Sequence, residues 1–426
     1  MEIKNVKKLD KEVERGGQQK VAPFLILLYN FLNMKWGKEK NNLKVLVALS
    51  GGVDSSVAAA LLKERGYFVV GVFMKFWQET RENADLRGNG NRCCSGDAYE
   101  AAKSVCAKLD IHFRALDVQK EFKKEVVDYF LREYKAGRTP NPCVRCNEKI
   151  KFKILLKKAK KWGIEFVATG HYARLKRCDP KNPNTSELFE NKKRKFGSFW
   201  CNSDYSGRLC LFQAKDKEKD QSYFLYNLTQ EQLRHILFPL GDYTKEEARK
   251  LAKKWELATA ERPESFEVCF VSDKHTADFL ARHIKTKPGK IVDEKGREIG
   301  EHRGLPFYTI GQRRGINIGG ARPYYVAAKN PARNKLVVVN NPRSPLLSRK
   351  NLVAEKVNWI SGILPKFPFE CRVKIRYRHK AALALVYKIQ NTKYKIQFNR
   401  PQRAITPGQS VVFYKGQEVL GGGVIC

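Results

Sequence analysis

The stretch that most limits what this chain can become runs from Val45 to Ser56. An apolar segment, Val45 to Leu49, breaks into Ser50-Gly51-Gly52-Val53-Asp54-Ser55-Ser56 and is followed at once by the apolar Val57 to Leu62. A buried strand that enters a two-glycine turn and leaves as a helix turns unpaired amide groups and the positive end of a helix dipole toward one small anion site. Such a site suits a pyrophosphate. The turn lacks the Lys-Ser/Thr ending of the Walker loop, which reaches toward the terminal phosphates in phosphate-transferring enzymes. The residues therefore point to ATP split between its α- and β-phosphates, with AMP passing to a substrate oxygen. Two glycines and hydroxyls after a strand also describe an ordinary turn; the full heptad with Asp54, set between strand and helix, favours the nucleotide.

At 426 residues the chain has room for two or three domains with real cores. Its 82 Lys and Arg against 44 Asp and Glu leave a net charge of +38. So large an excess disfavours self-association and attracts polyanions, of which nucleic acid is the plainest, although a solvated lysine-rich surface gives the same count. The longest apolar run, Val21 to Met34, is interrupted by Pro23, Asn30 and Asn33 and is too short for a membrane span. Acidic residues precede it and no small-residue cleavage site follows, which is wrong for a signal or transit peptide. The expected location is the cytoplasm, with no membrane partner. There the 11 cysteines are expected to be reduced, so close pairs suggest metal, cluster or redox chemistry before structural disulfides.

Residues 1–42 read as an extension outside the core. From residue 43 to about 275, strand-like runs (Val45–Leu49, Phe68–Phe73, His112–Leu116, Phe166–Thr169) alternate with helical stretches (Val57–Arg65, Tyr99–Leu109, Phe122–Tyr134, Ile150–Trp162). That alternation predicts a parallel sheet with crossover helices, an α/β class in which ligands collect at the carboxyl ends of the strands. Residues 176–210, rich in Lys, Asn and Ser, read as a mobile insertion, and helical periodicity is expected again from Thr229 to Trp255. From about 278 the texture turns to short strand runs split by Gly and Pro. It predicts a small β-rich central domain at 278–342 and a C-terminal β-barrel-like domain at 350–426.

Cys143-Val144-Arg145-Cys146 follows the turn-rich Gly137-Arg138-Thr139-Pro140-Asn141-Pro142 and precedes a helical run. A thiol at a helix start beside a cation has its thiolate favoured and is nucleophilic near neutral pH. A Cys-x-x-Cys is also half of a structural zinc site, but a second pair with metal-finger spacing is absent. Cys269 stands alone between Val268 and Phe270, where a cysteine is more often a buried hydrophobe than a reagent.

Several signatures occur in order: Ser50–Ser56; Thr139-Pro140-Asn141-Pro142 with Cys146-Asn147 and Ile150-Lys151-Phe152; Gly170-His171-Tyr172-Ala173-Arg174; Lys219-Asp220-Gln221-Ser222-Tyr223-Phe224; Cys269-Phe270; the run from Gly304 to Gly315; and Pro407-Gly408-Gln409. From Val45 to Ile425 the chain resembles the tRNA-uridine 2-sulfurtransferases, the MnmA (TrmU) thiouridylase family of the ATP-pyrophosphatase superfamily. The resemblance implies a pyrophosphate-loop catalytic domain and two β domains that grip tRNA. It assigns ATP binding to Ala48, Leu49, Ser50, Gly51, Gly52, Val53, Asp54 and Ser55, with Met74 and Gly170 also touching the nucleotide. Asn141, Pro142 and Cys143 would border the target base. Cys146 matches the nucleophile and Cys269 the persulfide-bearing thiol. His171, Lys219, Asp220, Gln221, Arg376, Tyr377 and Gln409 match positions that touch tRNA; the alternative for Asp220 and Tyr377 is that they only fold their loops.

The implied reaction is 2-thiolation of the wobble uridine of tRNAs for Lys, Glu and Gln, with ATP and Mg²⁺ and a partner protein as sulfur donor. The C2 oxygen of uridine is a poor leaving group until adenylation converts it to AMP. Sulfur then arrives from a Cys269 persulfide, with a Cys146–Cys269 disulfide closing in one form of the step. The chain departs from the family in one place, with Cys143 where many members have Asp. Cys143, Cys146 and Cys269 could instead hold three corners of a [4Fe–4S] cluster, leaving one iron open to sulfide. A small-molecule synthetase of the same loop family would give these thiols no work, and a non-catalytic RNA-binding protein would not need the loop.

Overall fold

The structure is a computed structural model that describes residues 43–79, 95–178, 207–263, 268–271, 276–319, 323–390 and 392–426. The extension 1–42 and the bulk of the 176–210 insertion, residues 179–206, lie outside the described residues.

In chain order the first elements are β1 (Lys44–Leu49), α1 (Val53–Glu64), β2 (Phe68–Lys75), α2 (Gly96–Lys108), β3 (His112–Asp117) and two longer helical runs, α3 (119–135) and α4 (142–161). They are followed by β4 (Phe166–Ala168), β5 (Ala173–Cys178), β6 (Arg208–Gln213), β7 (Ile236–Leu237) and α5 (Lys245–Lys254). Five of the strands form a parallel sheet in the order β3-β2-β1-β4-β7. Its central strand shows why the run Val45–Leu49 is continuously apolar. Leu46 faces one core cluster while Val45, Val47 and Leu49 face the other, as the two-residue period of a strand buried on both sides requires. Helix α5 lies on α1, with Ala248 and Ala252 packed among Val53, Val57, Ala58 and Leu61.

The region 229–255 is less helical than its periodicity suggests. A single turn, Gln230–Leu233, precedes α5, and between them Ile236 and Leu237 pair with Val167 and Ala168 to extend the sheet. Beyond the sheet the chain does not turn to strands at once. Helix α6 (Thr276–His283) buries Phe279 and Leu280 in the core that also holds Phe130 and Phe270, so the α/β core extends past residue 275.

The middle sheet has four strands, β8 (Gly289–Val292), β9 (Glu298–His302), β10 (Tyr325–Asn330) and β11 (Lys335–Val339), in the order β10-β11-β8-β9. The last six strands are β12 (Ser348–Trp359), β13 (Phe369–Lys374), β14 (Ala382–Gln390), β15 (Lys393–Arg403), β16 (Ser410–Lys415) and β17 (Glu418–Ile425). Because β12 pairs with both β15 and β17, these six close into a barrel, which removes its free edges. The hairpin β5–β6, carried by the α/β region, adds itself to the barrel through Phe212 opposite Glu418 and Leu211 opposite Val419.

That hairpin corrects two expectations. The ends of the 176–210 segment are ordered strands, with Lys176 opposite Cys210 and Cys178 opposite Arg208. Cys178 and Cys210 are joined in a disulfide across it, so the expectation of uniformly reduced cysteines does not hold. Among the described residues no helix is long and apolar enough to cross a membrane.

Candidate active site

The Ser50–Ser56 segment folds as a turn between β1 and α1 that fixes itself. Ser50 donates its backbone N–H to Ser55 Oγ at 3.1 Å, and the Ser55 and Ser56 hydroxyls each donate to the Gly52 carbonyl at 3.0 Å. No side chain caps the start of α1 at Gly52. Gly51 has φ +69°, and a Cβ there would lie 2.3 Å from the Ala98 carbonyl oxygen, so only glycine fits. Gly170, just beyond β4, lies against the first turn of α1, where a Cβ would be 2.7 Å from the Ser55 nitrogen. Asp54 Oδ1 accepts from the Tyr172 hydroxyl at 2.8 Å and from Lys245 Nζ at 2.6 Å. Met74 is buried near the end of β2, one residue past Phe73, the partner of Leu49.

The thiols sit at the start of α4. Asn141 caps the helix by accepting from the Val144 N–H, Pro142 occupies the first position, and Cys143 and Cys146 follow three residues apart on one turn. Cys143 is exposed and Cys146 is buried. A wide π-type turn, Asn147–Phe152, comes directly after Cys146, and the Asn147 amide donates to the Phe224 carbonyl at 3.2 Å. Cys146 belongs to an apolar cluster with Met74 and Phe270, and both Ala48 and Cys269 pack against it. The cation expected to favour the thiolates is engaged elsewhere. Arg145 pairs with the Glu125 carboxylate at 2.6 Å and lies over the Tyr129 ring. The helix dipole fades within the first turn, so it acts on Cys143 more than on Cys146.

The segment leading into this helix is tied to both β domains. Thr139 donates its N–H to the Pro407 carbonyl at 2.9 Å, and its hydroxyl lies 3.2 Å from that of Thr309. The Gln409 amide donates to the carbonyls of Thr139 and Pro140 at 3.0 and 3.2 Å. Gln409 therefore holds the strap before the thiols.

The other positions matched to tRNA contacts divide by burial. His171 is buried between the rings of Phe152 and Phe238, with Nδ1 2.8 Å from Thr169 Oγ1; burial, reinforced by the Lys151 charge, holds its pKa well below the ordinary histidine value. Asp220 is buried and accepts from Gln213, from the backbone of Ala214 and from both the backbone and hydroxyl of Ser222. Those bonds shape the 213–222 loop. Gln221 accepts from the Tyr172 N–H and donates its own N–H to the Tyr172 carbonyl, while the Lys219 backbone donates to Asp216. Arg376 and Tyr377 are half-buried just past the end of β13; the Tyr377 ring lies tilted against Phe224 with centroids 4.5 Å apart, and Arg376 donates to the Arg403 carbonyl.

Family models match the chain in three consecutive segments: a tRNA methyl transferase HUP domain at residues 43–273, a tRNA methyl transferase PRC-barrel domain at 277–340 and an aminomethyltransferase β-barrel domain at 349–425. The chain is 46% identical over 386 residues to the tRNA-specific 2-thiouridylase MnmA of Carboxydothermus hydrogenoformans, covering 90% of this chain and 97% of that protein. It is also 46% identical over 384 residues to the protein of the same name from Roseiflexus castenholzii, covering 90% of this chain and 99% of that one. The chain belongs to the tRNA-specific 2-thiouridylase family.

Sequence reasoning gave no role in this thiouridylase to the two partners of Asp54. Tyr172 stood in a quoted signature, and Lys245 follows Thr244, whose side chain and Glu247 form a reciprocal cap. The Thr-x-x-Glu spacing signals a helix start there. Nothing in that spacing says that the helix start meets a turn 191 residues earlier.

Proposed function

We propose that this chain is an ATP-dependent tRNA-uridine 2-sulfurtransferase of the cytoplasm, acting on the wobble uridine of tRNAs for Lys, Glu and Gln. The observation that carries this reading is that Met74, on the nucleotide side, and Cys146, on the sulfur side, share one apolar cluster against which Ala48 and Cys269 pack.

The turn Ala48–Ser55, with Met74 and Gly170, binds ATP, and Asp54 is the carboxylate suited to Mg²⁺. The uridine C2 oxygen attacks the α-phosphorus, the bond to the bridging oxygen breaks, and pyrophosphate leaves with its electron pair toward the amide groups at the start of α1. Asn141, Pro142 and Cys143 border the target base. The outer sulfur of a Cys269 persulfide, loaded by a donor protein, adds at C2 as the oxygen departs with AMP. Cys146 then attacks the Cys269 sulfur, closing a disulfide and releasing 2-thiouridine, and a cellular thiol restores both cysteines. In the alternative reading Cys143 and Cys146, three residues apart on α4, and Cys269, packed against the apolar cluster of Cys146, would hold three corners of a [4Fe–4S] cluster. Such a cluster supplies an open iron site for sulfide. The charge of +38 supplies affinity through tRNA phosphates, with His171, Lys219–Gln221, Arg376, Tyr377 and Gln409 shaping the loops around the base.

Asp54→Ala should abolish tRNA-dependent pyrophosphate release while tRNA affinity stays within about threefold, because phosphate contacts dominate binding. Equal loss of both would mean that Asp54 serves the fold only. Rigorously iron-free enzyme separates the two sulfur carriers. Thiolation that needs Cys146 and Cys269 but survives Cys143→Ser indicates the persulfide, and joint loss of iron and thiolation in Cys143→Ser indicates the cluster.

A further inference from the structure

The nucleotide turn has no lysine of its own, yet the fold brings one to it from the far end of the α/β region. Lys245 is the first residue of α5, and its Nζ lies 2.6 Å from Asp54 Oδ1 in the first turn of α1. Its side chain is 10% exposed, unusual for a lysine, which ordinarily keeps its ammonium in water.

The position is held from several sides. Thr244 Oγ1 accepts from the Glu247 N–H at 3.2 Å while Glu247 returns the bond to the Thr244 N–H at 2.6 Å. Lys245 donates its own N–H to Asp216 Oδ2 at 2.9 Å, and Asp216 Oδ1 accepts from Glu218 and Lys219, fixing the loop beneath. Ala248 and Ala252 then seat α5 on α1 among Val57, Ala58 and Leu61. The helix that presents the anion site and the helix that carries the cation are thus packed directly on each other.

We propose that Lys245 is a further nucleotide-binding residue, the cation that meets the pyrophosphate portion of ATP at the Ser50–Ser56 turn; this rests on the reading of that turn as an ATP site. Asp54 Oδ1 already accepts from Tyr172, so it does not need a buried ammonium for satisfaction. Desolvating a lysine to pair it with a carboxylate gains little. A compact charge on a four-carbon stem can turn from a carboxylate to a phosphate without moving its backbone. During adenylation the bond between the α-phosphorus and the bridging oxygen breaks and its electron pair stays on the departing pyrophosphate. Lys245 offsets that gained charge, and no proton is transferred. The lysine that a Walker loop carries in its own sequence is here supplied by a separate helix.

The probes are inorganic pyrophosphate and AMP, each titrated calorimetrically into the full chain with magnesium. Lys245→Met should weaken pyrophosphate roughly 10- to 100-fold, as expected for removing a charged partner from a largely desolvated site, and leave AMP within about twofold. Lys245→Arg should recover most of the loss, with an unchanged melting transition. The effect on pyrophosphate should persist in an Asp54→Asn background. Parallel loss of pyrophosphate and AMP, or disappearance of the effect in that background, would show that Lys245 only positions Asp54 and would overturn the proposal. Wild-type chain that binds neither pyrophosphate nor ATP would overturn the nucleotide reading itself. Tight binding without tRNA thiolation would leave Lys245 standing and remove only the tRNA substrate.

Discussion

Between Ser50 and Ser56 the hydrogen bonds that shape the turn span five residues or fewer: Ser50 to Ser55, and Ser55 and Ser56 to Gly52. Around Asn141–Cys146 the shaping bonds come from 170 residues away at Thr309 and from about 270 residues away at Gln409. The turn of the nucleotide half is therefore shaped by its own hydrogen bonds, while Gly170 packs on it and Tyr172 and Lys245 reach its Asp54 from 118 and 191 residues away. The sulfur half is an assembled one, whose strap is held only when the central and C-terminal domains are docked. Under the proposed function, local construction suits activation by ATP, and assembled construction lets the domains proposed to grip tRNA set the position of the thiols.

The largest expected effect comes from breaking the local half. Gly170→Ala places a Cβ 2.7 Å from the Ser55 nitrogen and 2.8 Å from the Asp54 carbonyl carbon, both backbone atoms that cannot step aside. Overpacking of this kind costs about 2–3 kcal/mol, and the displaced loop should lose ATP affinity by roughly two orders of magnitude. Thermal melting and nucleotide titration would measure both. Alkylation rates of Cys143 and Cys146 should stay near wild type if the halves are separately built, and a matching change in thiol reactivity would break the contrast.

A smaller loss is expected from the assembled half. Gln409→Ala leaves the carbonyls of Thr139 and Pro140 without their amide donor, a loss of about 1–2 kcal/mol in the strap. ATP affinity should hold while thiolation turnover falls about tenfold. Because the strap is loosened before substrate arrives, Cys143 should alkylate faster even without tRNA. A change confined to tRNA affinity would instead make Gln409 a direct tRNA contact.

The same division explains what could be read in advance. The strand, turn and helix from Lys44 to Glu64 were legible because apolar period, glycines and hydroxyls lie side by side and each local preference agrees with the fold. Strand β7 was hidden, since two residues, Ile236 and Leu237, carry no period and become a strand only by pairing with β4. The addition of β5–β6 to the barrel was equally hidden, because a pairing between Leu211 and Val419 leaves no trace in either local sequence. Asp220 shows the limit of motif reasoning. Its place in a signature says that the residue matters, while its four hydrogen bonds within the 213–222 loop show a residue that folds that loop.

His171 lies where the two halves meet, one residue after Gly170 and in ring contact with Phe152 of the thiol helix, and it gives the smallest and most graded test. Burial, with the nearby Lys151 charge, holds its pKa well below the ordinary histidine value of 6.5. The unfolded chain therefore takes up a proton at this residue near pH 6.5, while the folded chain does so only at lower pH. Its contribution is fully present above pH 6.5 and is lost as pH falls from there toward the folded pKa. Within that window the slope approaches about 1.4 kcal/mol per pH unit for one proton. Denaturant titrations at a series of pH values should show this slope in the wild type and its removal in His171→Gln, which keeps a polar partner for Thr169. If His171 joins the halves, ATP affinity and Cys143 alkylation should change together as the pH drops through the window. A response in only one of them would assign His171 to that half alone and sharpen the boundary between them.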